Sequence, residues 1–89
     1  MEKNNKNIHV GDVVKLSELG VNREAQIIKI ECENRKICRR IFEMGLTTGV
    51  VAEIKKIAPL GDPVGLEIRG YQICLRKSEL KNIVARVLK

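Results

Sequence analysis

The sequence predicts a small all-β domain with one α-helix, built as a strongly bent antiparallel sheet of about five short strands closed into a barrel. Three observations lead there. The chain has 89 residues, the size of one small domain, and its only aromatic residues are Phe42 and Tyr71, so Ile, Val and Leu must form the core. Apolar and polar residues alternate in short runs, and turn residues separate those runs at intervals of about ten residues. Only one stretch carries the three- and four-residue apolar spacing of a helix. Closure is expected because a flat sheet of short strands leaves pairing edges open and buries little on one face.

Residues 1–10 are rich in Asn and Lys without periodicity, which reads as a frayed tail holding the lone His9. Leu16-Ser17-Glu18-Leu19 is a short turn whose two leucines can dock on a core, and Gly20 ends it. Residues 24–30 interleave β-branched and polar side chains and predict a strand. Asn34 can cap a helix over 35–44, where Ile37, Cys38, Ile41, Phe42 and Met44 form an apolar stripe opposite Arg35, Lys36, Arg39, Arg40 and Glu43. Gly45 suits a left-handed helix end, with Leu46 folding back as its apolar contact.

A strand follows Gly49, with Val50, Ala52 and Ile54 on one face and a break in alternation at Lys56-Ile57. Ala58 to Pro63 is a turn stiffened by two prolines. Val64, Leu66 and Ile68, then Gly70, then Tyr71, Ile73 and Leu75 give a β-hairpin pattern. Ser78 can cap a short turn through Leu80, and Ile83, Ala85 and Val87 make a last strand.

Several function classes fit the composition poorly. Scarce aromatics weigh against base stacking, proline-helix grooves and aromatic cages. An enzyme needs convergent acid, base or nucleophile groups, whereas the one His lies in the expected tail and the acidic residues are scattered singly, so no catalysis is expected. The glycines follow turn spacing, with no phosphate-cradling motif among them. Cys32, Cys38 and Cys74 form no CxxC pair, so reduced thiols are expected, with Cys38 and Cys74 as small core residues. No metal ligand set and no cofactor is predicted. No run approaches the roughly 20 apolar residues of a membrane span and Met1 to Val10 is polar, so a cytoplasmic protein without membrane insertion is expected.

The formal net charge is +6. The excess lies mid-chain and at the end, where residues 77–89 hold four basic groups against one acidic. The helix cations could meet phosphates or an acidic protein surface, and the lack of interleaved aromatics lowers the nucleic-acid reading.

Ala58-Pro59-Leu60-Gly61-Asp62-Pro63, an alternating strand and then Arg69-Gly70-Tyr71-Gln72-Ile73-Cys74-Leu75-Arg76 closely resemble the FeoA family. Phe42 to Gly49 resembles that family's helix end and turn, and Leu16 to Leu19 its opening. The resemblance covers residues 16–87 and leaves 1–15 as a flexible extension. Thr48 departs from a common proline, and Gly65 from a usually larger residue. The resemblance implies an SH3-like barrel and a cytoplasmic accessory role in bacterial ferrous iron uptake, acting on the GTPase-bearing part of a FeoB-type transporter. The alternative it implies is a transition-metal-binding regulatory domain like those ending iron-dependent repressors. Arg39, Arg40, Leu60, Gly61, Asp62 and Pro63 are the candidate partner-binding residues, and self-association is a further candidate.

Overall fold

The computed structural model describes residues 8–89. The elements are β1 (Val13–Lys15), a 3-10 turn (Leu16–Glu18), β2 (Glu24–Ile30), α1 (Arg35–Glu43), β3 (Val51–Ile57), β4 (Val64–Ile68), β5 (Tyr71–Leu75), α2 (Lys77–Leu80) and β6 (Ile83–Val87). All strands pair antiparallel in one sheet of order β1-β6-β2-β3-β4-β5.

Alternation builds the core. Ala25 and Ile27, Ala52 and Ile54, Val64, Leu66 and Ile68, and Ile83, Ala85 and Val87 are all buried, each set from one face of its strand, with Leu16, Leu19, Ile41, Leu46 and Leu80 closing over them. Register shifts between Ile27 and Lys29 and between Ile54 and Lys56 put one extra residue into β2 and β3. Such bulges bend a strand and increase its twist, and two of them curl six strands into a barrel-like shell.

The curl stops short of closure. Among the described residues β1 and β5 end the strand order without pairing to each other, so the expected small barrel is a bent, barrel-like sheet of six strands that is not closed. The additional strand is β1, inside the stretch expected as an extension to residue 15; of that stretch, residues 1–7 lie outside the described residues. Val13-Val14-Lys15 is too short to show alternation, and its pairing comes from β6, through Val13 with Arg86, Val14 with Ala85 and Lys15 with Val84. Ile8 also packs against the core.

The ends of α1 follow its caps. Asn34 Oδ1 accepts from the backbone N–H of Lys36 at 2.8 Å and of Ile37 at 3.3 Å. At the other end Gly45 has φ +92°, its N–H donates to the Phe42 carbonyl, and the N–H of Leu46 donates to the Ile41 carbonyl, the paired bonds of a Schellman end. A Cβ on Gly45 would lie 3.4 Å from Ile68 Cδ1, an ordinary contact, so it is the left-handed backbone that favours glycine there.

Four side-chain expectations change. Phe42 is 68% exposed: Ile41 sits at the centre of the buried stripe, and the next residue turns about 100° away from it. Cys74 is exposed because Ile73 and Leu75 take the inward positions of β5. Cys32 and Cys38, expected as separate reduced thiols, are brought together, with Cα atoms 5.9 Å apart, a separation a disulfide can span. Ser78 does not cap α2; Arg76 occupies that position, and the side chain of Glu79 satisfies its N–H. No helix among the described residues is long and apolar enough to cross a membrane.

Candidate functional site

The candidate residues come from two separate stretches, α1 and the 58–63 turn, and α2 joins them. Glu79 is buried on α2, and its carboxylate is shared: Oε1 accepts from Arg76 N–H at 2.9 Å and Oε2 pairs with Arg40 Nε of α1. The first N–H of the same helix, on Lys77, donates to Asp62 Oδ1 at 2.8 Å. A four-residue helix rises only about 6 Å, so α1 and the turn are fastened to one short brace.

Each candidate then has a defined place. Arg39 is exposed beside Arg35 and Lys36 around a shallow depression, and none of the three forms an ion pair among the described residues. Arg40 is engaged by Glu79, an ion pair that ties α1 to α2. Leu60 is 96% exposed at the tip of the turn. Gly61 takes φ +91° beneath it and donates to the Ala58 carbonyl at 2.7 Å, a geometry that favours glycine. Asp62 points back to α2, and the Pro63 carbonyl accepts from Ala58 N–H at 3.1 Å across the base of the turn. The result is a turn fixed at both ends that presents one apolar side chain, while α1 presents three cations that form no ion pair among the described residues.

Glu79 was absent from the sequence expectations. Its signal is there, since a Glu three residues after a helix-capping position is the acceptor half of a capping box, but the cap was placed at Ser78. Phe42 is the other residue missed; its exposure adds an apolar side chain to the last turn of α1.

Among the described residues only a few of the remaining charges are matched locally. Glu53 and Glu67 face each other across β3 and β4, and Lys55 Nζ lies 3.8 and 3.7 Å from their carboxylates. Among the described residues no three of His, Cys, Asp and Glu converge on a point where a metal ion could sit. Away from the brace, Lys29 Nζ contacts Glu31 Oε2 at 3.0 Å, and this hydrogen bond and charge hold the Glu31 carboxyl below its ordinary range. Its folded pKa is depressed, so the pair favours folding above the ordinary carboxylate range and that gain is lost as pH falls through the folded value. In Lys29→Met the Glu31 side-chain resonances should titrate at higher pH than in the wild type, close to the ordinary carboxylate position, when followed by carbon-detected NMR.

The chain matches the model of the FeoA domain over residues 14–87. It is 34% identical over 76 residues to the Fe(2+) transport protein A/Fe(2+) transporter FeoB fusion protein of Porphyromonas gingivalis, covering 84% of this chain and 9% of that protein. The chain therefore spans about a tenth of the length of this curated relative. Among solved structures, an FeoA-like protein from Clostridium acetobutylicum superposes with TM-score 0.80 at 38% identity, covering 92% of each chain. FeoA of Stenotrophomonas maltophilia, solved with zinc and described as a procaryotic SH3 domain protein, superposes with TM-score 0.70 at 28% identity over 81% of this chain and 88% of its own.

Proposed function

Because the chain belongs to the FeoA family, we propose that it is a non-enzymatic accessory protein of bacterial ferrous iron uptake, cytoplasmic, docking on the GTPase-bearing part of a FeoB-type transporter and modulating it. The observation that carries the proposal is the Porphyromonas relative, in which a segment similar to this chain is covalently joined to the transporter. Fusion raises the effective concentration of one partner near the other to the millimolar range for short linkers. Where the two are separate chains, that state must be reached by affinity.

The braced turn supports docking, because a loop already held in one shape loses little entropy on binding. Leu60 would enter an apolar depression on the partner, while Arg39, with Arg35 and Lys36, would steer an acidic surface onto it. Gly61, Asp62 and Pro63 would hold Leu60 in position, and Arg40 would contribute through the Glu79 brace. Calorimetric titration of the purified cytoplasmic part of the transporter at rising salt tests this. Saturable binding that weakens with salt and is lost in an Arg35→Glu, Lys36→Glu, Arg39→Glu variant is expected; no saturable binding at low salt would overturn it.

Metal binding is the second reading, favoured by the zinc in the Stenotrophomonas structure. Anaerobic titration with Fe²⁺ followed by amide shifts separates the two readings, since docking through the turn and α1 predicts an unchanged spectrum at excess metal.

A further inference from the structure

The sheet ends in two edges of different character. β1 is three residues long and finishes in a lysine, and very short, charged edges are poor templates for pairing. β5 has five residues, Tyr71-Gln72-Ile73-Cys74-Leu75, with no charge, no proline and no register shift against β4. It carries none of the features by which edge strands resist pairing.

Its open groups can be assigned. Arg69 and Gly70 both have positive φ, at 47° and 84°, and connect Ile68 directly to Tyr71 as a two-residue turn. In such a hairpin the closing pair exchanges both ladder hydrogen bonds and hydrogen-bonded pairs alternate from there. The bonded residues of β5 are then Tyr71, Ile73 and Leu75, and the N–H and C=O of Gln72 and Cys74 point outward. Neither residue's backbone enters any turn, loop or cap hydrogen bond among the described residues.

We infer that the β5 edge is a strand-addition site for an extended acidic segment of a protein partner, which pairs its backbone with Gln72 and Cys74 and sets carboxylates against Arg69 and Arg76. The charge at the two ends of the strand selects this occupant. Arg69 precedes β5 and Arg76 follows it, both are exposed, and neither forms an ion pair among the described residues. A second copy of this +6 chain would bring the Arg69 end of one strand against the Arg76 end of the other, so antiparallel self-pairing sets like charges together. An incoming strand with carboxylates at its ends and alternating apolar residues between them would answer both cations and cover Tyr71, which is 68% exposed, and the half-buried Ile73.

The identity of the partner rests on the accessory function proposed above, while the open edge stands on the topology alone. The test compares wild-type protein, Cys74→Ala and Cys74→Pro in titrations with the cytoplasmic part of the FeoB-type transporter, alongside amide exchange by NMR. Proline at 74 deletes an outward N–H and leaves the bonds of Tyr71, Ile73 and Leu75 to β4 in place. Cys74→Ala should bind like the wild type and Cys74→Pro about tenfold more weakly, with the amides of Gln72 and Cys74 protected only in the complex. Should Cys74→Pro not fold, the amide protection and an Arg69→Glu, Arg76→Glu variant, also expected to bind about tenfold more weakly at low salt, decide instead. Tight binding without protection of those amides overturns strand addition and leaves the accessory function standing, whereas no binding at all overturns both. A concentration-dependent dimer that Cys74→Pro abolishes would give the edge to a second copy and overturn the acidic occupant.

Discussion

Leu66→Ala lowers the free energy of unfolding by about 2–5 kcal/mol, the largest change expected from a single side chain here. Leu66 is fully buried in the middle of β4, opposite Ile54 on β3 and Ile73 on β5. Its removal leaves a cavity between three strands held on both sides by ladder hydrogen bonds, so the walls can collapse only partly. Domains of this size are stable by only roughly 5–15 kcal/mol, which makes the loss a large share of the whole. Urea unfolding followed by circular dichroism should show a lower midpoint with an unchanged slope. Leu60→Ala, at the exposed tip of the turn, should move the midpoint by no more than about 0.5 kcal/mol equivalent. A Leu60 effect comparable to that of Leu66 would mean the turn packs onto the core, contrary to its 96% exposure.

Glu79→Ala destabilises the fold by about 1–3 kcal/mol, and its local consequences reach further than its size. The carboxylate answers Arg76 N–H at the start of α2 and the Arg40 guanidinium on α1. Truncation leaves the first without its acceptor and the second without its counter-ion, although Arg40 is 52% exposed and water takes over part of that role. Because Asp62 holds the neighbouring N–H of the same helix, the 58–63 turn should loosen with it. Amide exchange at Lys77 and Gly61 should rise more than at β2 and β6. Glu79→Gln keeps an oxygen for Arg76 N–H and loses the charge, so it should fall between wild type and Ala. Uniform acceleration across the whole sheet in Glu79→Ala would show global weakening instead of a failed brace.

How much of this was legible in the sequence depends on the range of the interaction that decides it. β2, β4, β5 and β6 follow from alternation along single segments, and α1 from a stripe closed by Asn34 and Gly45, all contacts within a few residues. β1 was not legible because three residues carry no period and its partner β6 lies at the far end of the chain. The open edge escaped notice because closure depends on how far the bulges at Ile28 and Lys55 turn the sheet, and a break in alternation does not show that.

The candidate surface divides the same way. Turn chemistry marked Leu60, Gly61, Asp62 and Pro63, and the structure makes them a rigid corner. Composition marked Arg39 and Arg40 alike, and only folding separates them, by bringing Glu79 under one and leaving the other in solvent. Cys74 and Phe42 mark where residue type misleads: both look like core residues, yet alternation in one case and the 100° step in the other turn them outward.

The central claim is that this chain serves ferrous iron uptake by acting on the transporter. Uptake of radiolabelled Fe²⁺ under anaerobic, iron-limited conditions tests it most directly, in cells lacking only this chain and in the same cells supplied with the wild type or the Arg35→Glu, Lys36→Glu, Arg39→Glu variant. Altered uptake in the deletion, restored by the wild type and not by an equally abundant variant, is the predicted result. Uptake identical in all of these cells, with the transporter present, would contradict it.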